Sequence, residues 1–391
     1  MDTLKREILS QRVRKVKPSG IRKFFDIINT MPNVISLGVG EPDFVTPEHI
    51  RQAGIRSIEQ GRTRYTSNYG ILELRRAISA KLQHSYGLDY DPATQILVTV
   101  GVSEGVDLAM RTIIDEGDEV ISPDPGYVAY EADIVFAGGV PVPVPTYAKY
   151  NFAVRATEIA AAITPRTKMI LLGNPNNPTG AVIPREELEG IAKLAIEHDL
   201  IVAVDEVYSR LVYGREHVCI AALPGMQERT ILLDGFSKAY AMTGWRVGYV
   251  AAPAYILEAM LKVHQYAIMC AGTAAQEAAL EALRNGEEDV RTMHDDYERR
   301  GRIFVEGLNR IGLPCCEPRG AFYAFPYIGD TGLADDEFAE KLLFEEEVAV
   351  VPGSAFGAAG TGYVRAAYCT AYDQLQEALV RIERFVGKHK K

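Results

Sequence analysis

The chain has 391 residues, 47% hydrophobic and 24% charged, which is the balance of a globular protein long enough for two or three domains. Its formal net charge of -10 argues against nucleic acid or an anionic membrane as a main partner, because both reward basic surfaces. The five cysteines, Cys219, Cys270, Cys315, Cys316 and Cys369, form no Cys-x-x-Cys pair and no disulfide framework, and free thiols fit a reducing cytoplasm.

The first thirty residues read as a basic, mostly polar helical arm as far as Pro18-Ser19-Gly20, then an apolar helix from Ile21 to Ile28. No apolar stretch there suits a secretory signal, and no run in the chain approaches the ~18 residues of a membrane span, so a soluble protein is expected. A strand over Val34–Leu37 leads into Gly38-Val39-Gly40-Glu41-Pro42-Asp43, where glycine lets the backbone approach a neighbour closely. Thr46-Pro47-Glu48 predicts a helix start, with Thr46 as cap and Pro47 at the first position. Tyr65-Thr66-Ser67-Asn68-Tyr69-Gly70 reads as a loop, followed by a helix from Ile71 to about Tyr86.

From Ile96 the texture becomes strand, turn, helix, repeated. Ile96–Val100 is a β-branched run ending in Gly101-Val102-Ser103-Glu104-Gly105, with a helix from Val106 to Ile114. Strand, glycine turn and helix start make an anion site of unspecified kind, since free N–H groups and the helix dipole point at the turn. The spacing matches neither a Walker loop nor a dinucleotide fingerprint. The strand from Glu119 to Ser122 stops at Pro123-Asp124-Pro125-Gly126-Tyr127, and Val140–Val144 and Lys168–Leu172 are further strands. The last of these runs into Asn174-Pro175-Asn176-Asn177-Pro178-Thr179-Gly180, where two Asn-Pro steps forbid helix and present side chains. Leu200–Val204 is continuously apolar, which implies burial on both faces of a parallel sheet, and it ends on Asp205-Glu206 with Tyr208 three residues on. A carboxylate at such a strand end is at least partly buried and requires a cationic partner.

Between two further strands, Thr230–Leu233 and Val247–Ala252, lies Asp234-Gly-Phe-Ser-Lys238-Ala-Tyr-Ala-Met-Thr-Gly-Trp-Arg246. Alone it admits two readings. Lys238 and Arg246 snorkel from a surface loop, or Lys238 is held dry as the Schiff base of an aldehyde, with Ser237 and Arg246 binding a phosphate nearby. Because ligands collect at the carboxyl ends of strands in open α/β sheets, the loops at Gly101, Tyr127, Asn177, Asp205 and Lys238 are expected to converge. Beyond about Arg284 a charged helix (Glu287–Asn309), strands near Phe322–Pro326, an acidic helix (Ala334–Glu347), Val348–Val351 and a strand Tyr363–Tyr368 carrying Arg365 read as a smaller α+β domain. The seven histidines show no metal-ligand spacing, and no metal is expected.

Taken in order, Asn174 through Gly180, Asp205 with Tyr208, Ser237-Lys238 through Arg246, and Gly362-Tyr-Val-Arg365 resemble the fold type I pyridoxal-phosphate aminotransferases of the aspartate and aromatic group, class I/II. The resemblance runs from Gly38 to the C-terminal helix. It implies an α/β large domain with a mostly parallel seven-stranded sheet over 45–285, an N-terminal arm and part of the small domain over 1–44, and a C-terminal small α+β domain over 286–391. It also implies pyridoxal 5′-phosphate as cofactor, with Lys238 holding its aldehyde and then moving the substrate proton, and Asp205 pairing with its ring nitrogen. Asn177 and Tyr208 would bond its phenolic oxygen, and Tyr127 would stack on its ring. Ser237, Arg246, Ser103 and the Val102 backbone would hold its phosphate. Arg365, helped by the Gly38 backbone, would clamp the substrate carboxylate. Tyr65 would reach the phosphate of a neighbouring subunit, which implies a homodimer with shared active sites.

The expected reaction passes the amino group of an L-amino acid to a 2-oxo acid in two half-reactions, with aromatic, aspartate or broad specificity. Arg22 is either a clamp for a second carboxylate or a solvated helix charge. The competing readings are a carbon–sulfur lyase or decarboxylating synthase on the same fold, and a non-catalytic protein that senses the cofactor or amino acids. A sensor of the DNA-binding kind needs an added domain, for which too few residues precede the catalytic pattern. A nicotinamide-dependent dehydrogenase lacks its glycine fingerprint.

Overall fold

A computed structural model describes residues 8–16, 31 and 33–389. The strands are, in chain order, β1 (Ile35–Ser36), β2 (Ile96–Thr99), β3 (Glu119–Asp124), β4 (Val140–Pro145), β5 (Thr167–Gly173), β6 (Ile201–Asp205), β7 (Thr230–Gly235), β8 (Gly248–Ala251), β9 (Tyr323–Ala324), β10 (Val348–Ala349), β11 (Val351–Pro352) and β12 (Val364–Ala367). Seven of them form one sheet in the order β2-β8-β7-β6-β5-β3-β4. All its neighbours pair parallel except those of β8, which runs antiparallel to both β2 and β7.

The continuous apolar strands are buried on both faces, as their sequences require. Along β5, Met169 and Leu171 face a layer built from the helices Gly101–Ile113 and Ala254–Ala267, through Leu108, Met110, Leu257 and Met260. Ile170 and Leu172 face the opposite layer, where Leu188 and Ile191 of the helix Arg185–Glu197 meet Ile78 and Leu82 of Leu72–Tyr86. The alternation is the period-2 geometry of a strand acting on an all-apolar run.

The direction of β8 decides where one arginine goes. The carboxyl ends of β2, β3, β5, β6 and β7 share one edge of the sheet, and an antiparallel strand brings its amino end to that same edge. Arg246, two residues before β8, therefore arrives beside the loops that follow the parallel strands.

A second core surrounds a parallel pair, β1 with β10, and an antiparallel sheet in the order β11-β12-β9. Phe304 and Leu308 from the helix Glu287–Ile311, Phe338 and Leu342 from Asp335–Glu346, and Phe385 from Tyr372–His389 fill it together with Phe322. Tyr208, Leu211 and Tyr213 also enter this core, so the segment after β6 joins the large sheet to the smaller ones.

Some local expectations need correction. Thr46 does not cap the following helix: its hydroxyl donates to the Ala241 carbonyl at 2.6 Å and accepts from the Trp245 indole at 3.0 Å, leaving Pro47 before the helix Glu48–Glu59. Tertiary partners outcompete the local cap. The helix expected from Val106 begins at Gly101, and the run Val348–Val351 is divided between β10 and β11, which serve different sheets. The helix expected over Ile21–Ile28 lies outside the described residues.

Candidate active site

The carboxyl edge of the large sheet borders a cavity of about 470 Å³. Val102, Ser103, Tyr127, Asn177, Asp205, Tyr208, Ser237, Lys238, Arg246 and Arg365 line it, so the loops after β2, β3, β5, β6 and β7 meet there with one strand of the small sheet. Gly38 and Tyr65 do not line it. Tyr65 is 80% exposed, and Arg22 lies outside the described residues.

Lys238 follows β7 by three residues and is the cavity's amine. Its Nζ donates to the Gly40 carbonyl at 2.6 Å and stands over the rings of Phe322 and Tyr208 at 5.7 and 5.8 Å. Burial lowers its pKa to about 8, so a substantial neutral fraction exists near physiological pH. Asp205 ends β6 and is buried. Its carboxylate accepts from the Tyr130 hydroxyl at 2.9 Å and from the Val207 N–H at 3.1 Å, and burial raises its pKa to about 6. No cation among the described residues lies within ion-pair distance of it. A buried carboxylate so placed favours a cationic ligand.

Two arginines carry the opposite deficit. Arg365 is 4% exposed on β12, donates to the Asn177 Oδ1 at 3.0 Å and to the Gly38 carbonyl, and lies over the rings of Tyr323 and Phe356 at 4.6 and 4.8 Å. Its Nε has no partner among the described residues, nor does the guanidinium meet a carboxylate. The Gly38 carbonyl thus aims Arg365 instead of lining the cavity. Arg246 donates to the Thr243 carbonyl at 3.0 Å and likewise meets no carboxylate among the described residues. It packs against Gly101, whose φ of +74° opens the helix Gly101–Ile113. That helix has no side-chain cap, so the N–H groups of its first turn, at Val102 and Ser103, are open to an anion beside Ser237 and Arg246.

Residues that the sequence reading passed over also line the cavity: Gly40, Val106, Tyr130, Asp133, Val207, Thr243 and Tyr323 among them. Tyr130 had a usable signal, since it stands three positions after Tyr127, which precedes the helix Val128–Ala137, and the two rings meet edge-on at 5.5 Å. Asp133 follows in the same helix, and burial with Asp107 nearby raises it to about 7. Tyr323 sits in a strand of two residues, too short to leave a periodicity.

The doubly covered sheet, with its ligand cavity at the strand ends, is the architecture of the fold type I transferases. Residues 32–382 match the family model described as aminotransferase class I and II, and the chain belongs to that family of amino-group transferases. It is 55% identical to the putative aminotransferase YugH of Bacillus subtilis, over 97% of this chain and 98% of that one. It is 46% identical to an aspartate aminotransferase of Pyrococcus abyssi, over 98% of this chain and 99% of the relative. The crystal structure of an aromatic aminotransferase from Pyrococcus horikoshii superposes with a TM-score of 0.89 at 45% identity, covering 93% of this chain and 99% of that one.

Proposed function

We propose that this aminotransferase uses pyridoxal 5′-phosphate to carry the amino group of an L-amino acid to a 2-oxo acid, with aromatic, aspartate or broad specificity. The observation that carries the reading is the pairing of opposite deficits around one cavity: a buried carboxylate without a cation, Asp205, opposite a buried guanidinium without a carboxylate, Arg365, with a depressed amine, Lys238, between the two sheets. The residues suit the cofactor at each of its functional groups. Asp205 would pair with the ring nitrogen, Asn177 and Tyr208 would bond the phenolic oxygen, and Tyr127 would stack on the ring. Ser237, Arg246 and the first turn at Val102 and Ser103 would hold the phosphate. Bound there, the cofactor supplies an aldehyde that condenses with amines and a ring that accepts the electron pair left at the substrate Cα.

The chain's own part is positioning and proton transfer. Arg365 clamps the substrate carboxylate through its planar fork and thereby fixes the Cα–H bond. Lys238 Nζ, neutral in part because burial depresses it, takes the Cα proton and returns it. Asp205 keeps the ring-nitrogen proton in place by charge pairing. Arg22 keeps two roles in this reading, a clamp for a second substrate carboxylate or a solvated helix charge. Among the described residues lining the cavity the cations are Lys238, Arg246 and Arg365, all assigned to other tasks.

The reading further assigns 45–285 to the cofactor-binding unit, 1–44 to an N-terminal arm and part of the smaller unit, and 286–391 to the rest of the smaller unit, supported by the pairing of β1 with β10. A homodimer with shared sites and a cytoplasmic location complete it. The latter is supported by five free cysteines, and no helix of the described residues is long and apolar enough to cross a membrane. A panel of amino acids against 2-oxoglutarate, pyruvate and oxaloacetate tests the reaction. Amino transfer dependent on an oxo acid is expected. Steady release of ammonia and pyruvate from a cysteine conjugate without an acceptor would identify a lyase instead.

A further inference from the structure

Tyr323 touches residues given three different tasks above, and none of those tasks uses it. Its hydroxyl lies 2.6 Å from that of Tyr208. Its ring carries the Arg365 guanidinium at 4.6 Å. Its hydroxyl occupies the space a Cβ at Gly40 would need, and the Gly40 carbonyl is the acceptor for Lys238 Nζ at 2.6 Å.

The placement follows from register. Tyr323 pairs with Ala367 across β9 and β12, and Arg365 stands two residues from Ala367, so both side chains leave the same face as a diagonal pair. Tyr208 comes from the other sheet, in the turn after β6, with its ring edge-on to Phe322 at 5.4 Å. The Tyr208–Tyr323 bond therefore ties the large sheet to the small one at the cavity wall.

We propose that Tyr323 is a positioning residue with two separable tasks: its hydroxyl donates to the Tyr208 oxygen, leaving the Tyr208 proton directed into the cavity, and its ring seats Arg365 for a carboxylate. The inference rests on the pyridoxal phosphate reading above. A phenol pair shares one hydrogen in the bond between them, so the donor's identity decides which hydroxyl can reach a ligand. Burial holds both phenols protonated, and the Arg365 guanidinium lies over the Tyr323 ring at 4.6 Å, where it favours charge on that phenol's oxygen. The cation over its ring is what makes Tyr323 the donor of the pair in this proposal. Tyr208, whose oxygen accepts, becomes a stronger donor in turn, because bonds in a chain polarise one another.

The test compares cofactor-loaded wild-type protein with Tyr323→Phe and Tyr323→Met, alone and combined with Tyr208→Phe. Two quantities are read: the pH midpoint of the bound cofactor's absorbance change, and the affinity for 3-phenylpropionate, a carboxylate that cannot react. For Tyr323→Phe the midpoint rises by roughly half a unit to one unit, because weaker donation from Tyr208 lets the Lys238 nitrogen keep its proton longer. Carboxylate affinity stays within about twofold, since the ring remains. Tyr323→Met, which keeps volume without a π face, also weakens 3-phenylpropionate by roughly five- to thirtyfold. In the Tyr208→Phe background the midpoint shift of Tyr323→Phe disappears, as it must if the hydroxyl acts through Tyr208. An unmoved or lowered midpoint in Tyr323→Phe, or the same shift without Tyr208, overturns the hydroxyl task. Unchanged carboxylate affinity in Tyr323→Met overturns the ring task. Wild-type protein with no pH-dependent cofactor absorbance would mean that the cofactor reading has failed and this inference with it; a normal wild-type titration confines the failure to Tyr323.

Discussion

Asp205 accepts hydrogen bonds from Tyr130 and Val207, and yet burial lifts its carboxyl to about 6. A carboxyl whose folded pKa lies above its ordinary value of 3.8 binds protons more tightly in the fold. Its contribution to stability is therefore full below that value and lost as pH rises through about 6. Lys238 gives the mirror image: with its pKa lowered by burial to about 8, its contribution is present above 10.5 and lost as pH falls through about 8. At pH 7 both charges oppose folding until a ligand meets them, which is how a binding site differs from a core. Asp205→Asn should accordingly make the cofactor-free protein more stable at pH 7 by about 1–2 kcal/mol, with the advantage shrinking towards pH 4. The same variant should lose on the order of a hundredfold or more in amino transfer. Thermal denaturation of the two cofactor-free proteins across pH measures the first effect, and a variant less stable than wild type at pH 7 would remove the argument that Asp205 is held at a cost.

The start of the helix Gly101–Ile113 shows how an element makes a site without a charged side chain. Gly101 adopts φ +74°, and a Cβ built there would lie 2.6 Å from Arg246 Nη2. Gly101→Ala should therefore strain the turn by about 1 kcal/mol and displace Arg246, weakening cofactor binding by roughly tenfold. Titrating pyridoxal phosphate into the cofactor-free variant reads this directly, and wild-type affinity would show that the turn and the arginine are not one anion site. Such turns were legible in the sequence because glycine, proline and asparagine punctuate the strand ends, and the apolar strands announced a sheet covered on both faces. Other features rested on tertiary geometry. Thr46 looks like a cap until Ala241 and Trp245 are placed beside it. Arg246 admits both a loop-charge and a phosphate reading in its own stretch, and the antiparallel direction of β8 is what brings it to the carboxyl edge. Asp133 and Tyr130 share a helix with core residues, and only the fold shows that their side of it borders a cavity.

In the single chain, Tyr65 is 80% exposed and Tyr266 87%, with Ile268 and Met269 also exposed. The loop of Tyr65 is joined to the end of the helix Ala254–Ala267, which carries Tyr266, by the Asn68 amide donating to the Met269 carbonyl at 3.0 Å. Exposed apolar side chains gathered at a loop and the helix end tied to it suit an interface with a second copy. The protein should sediment at twice its 43.0 kDa, and Tyr65→Phe should keep that mass while weakening the cofactor about tenfold, the loss of one hydroxyl bond to a phosphate. A monomer with full cofactor affinity would contradict the shared site. At this scale the large sheet supplies Lys238, Asp205 and the turn at Gly101, while the small sheet supplies Arg365 and Tyr323, so the proposed chemistry depends on both being held around one cavity. The claim on which everything else depends is that Lys238 is the amine that bonds the cofactor. Borohydride reduction of the loaded protein, followed by peptide mass analysis, measures it: wild type should carry one pyridoxyl group per chain on the peptide containing Lys238, and Lys238→Ala should carry none. Cofactor trapped covalently in the alanine variant, or on another lysine of the wild type, would contradict the account.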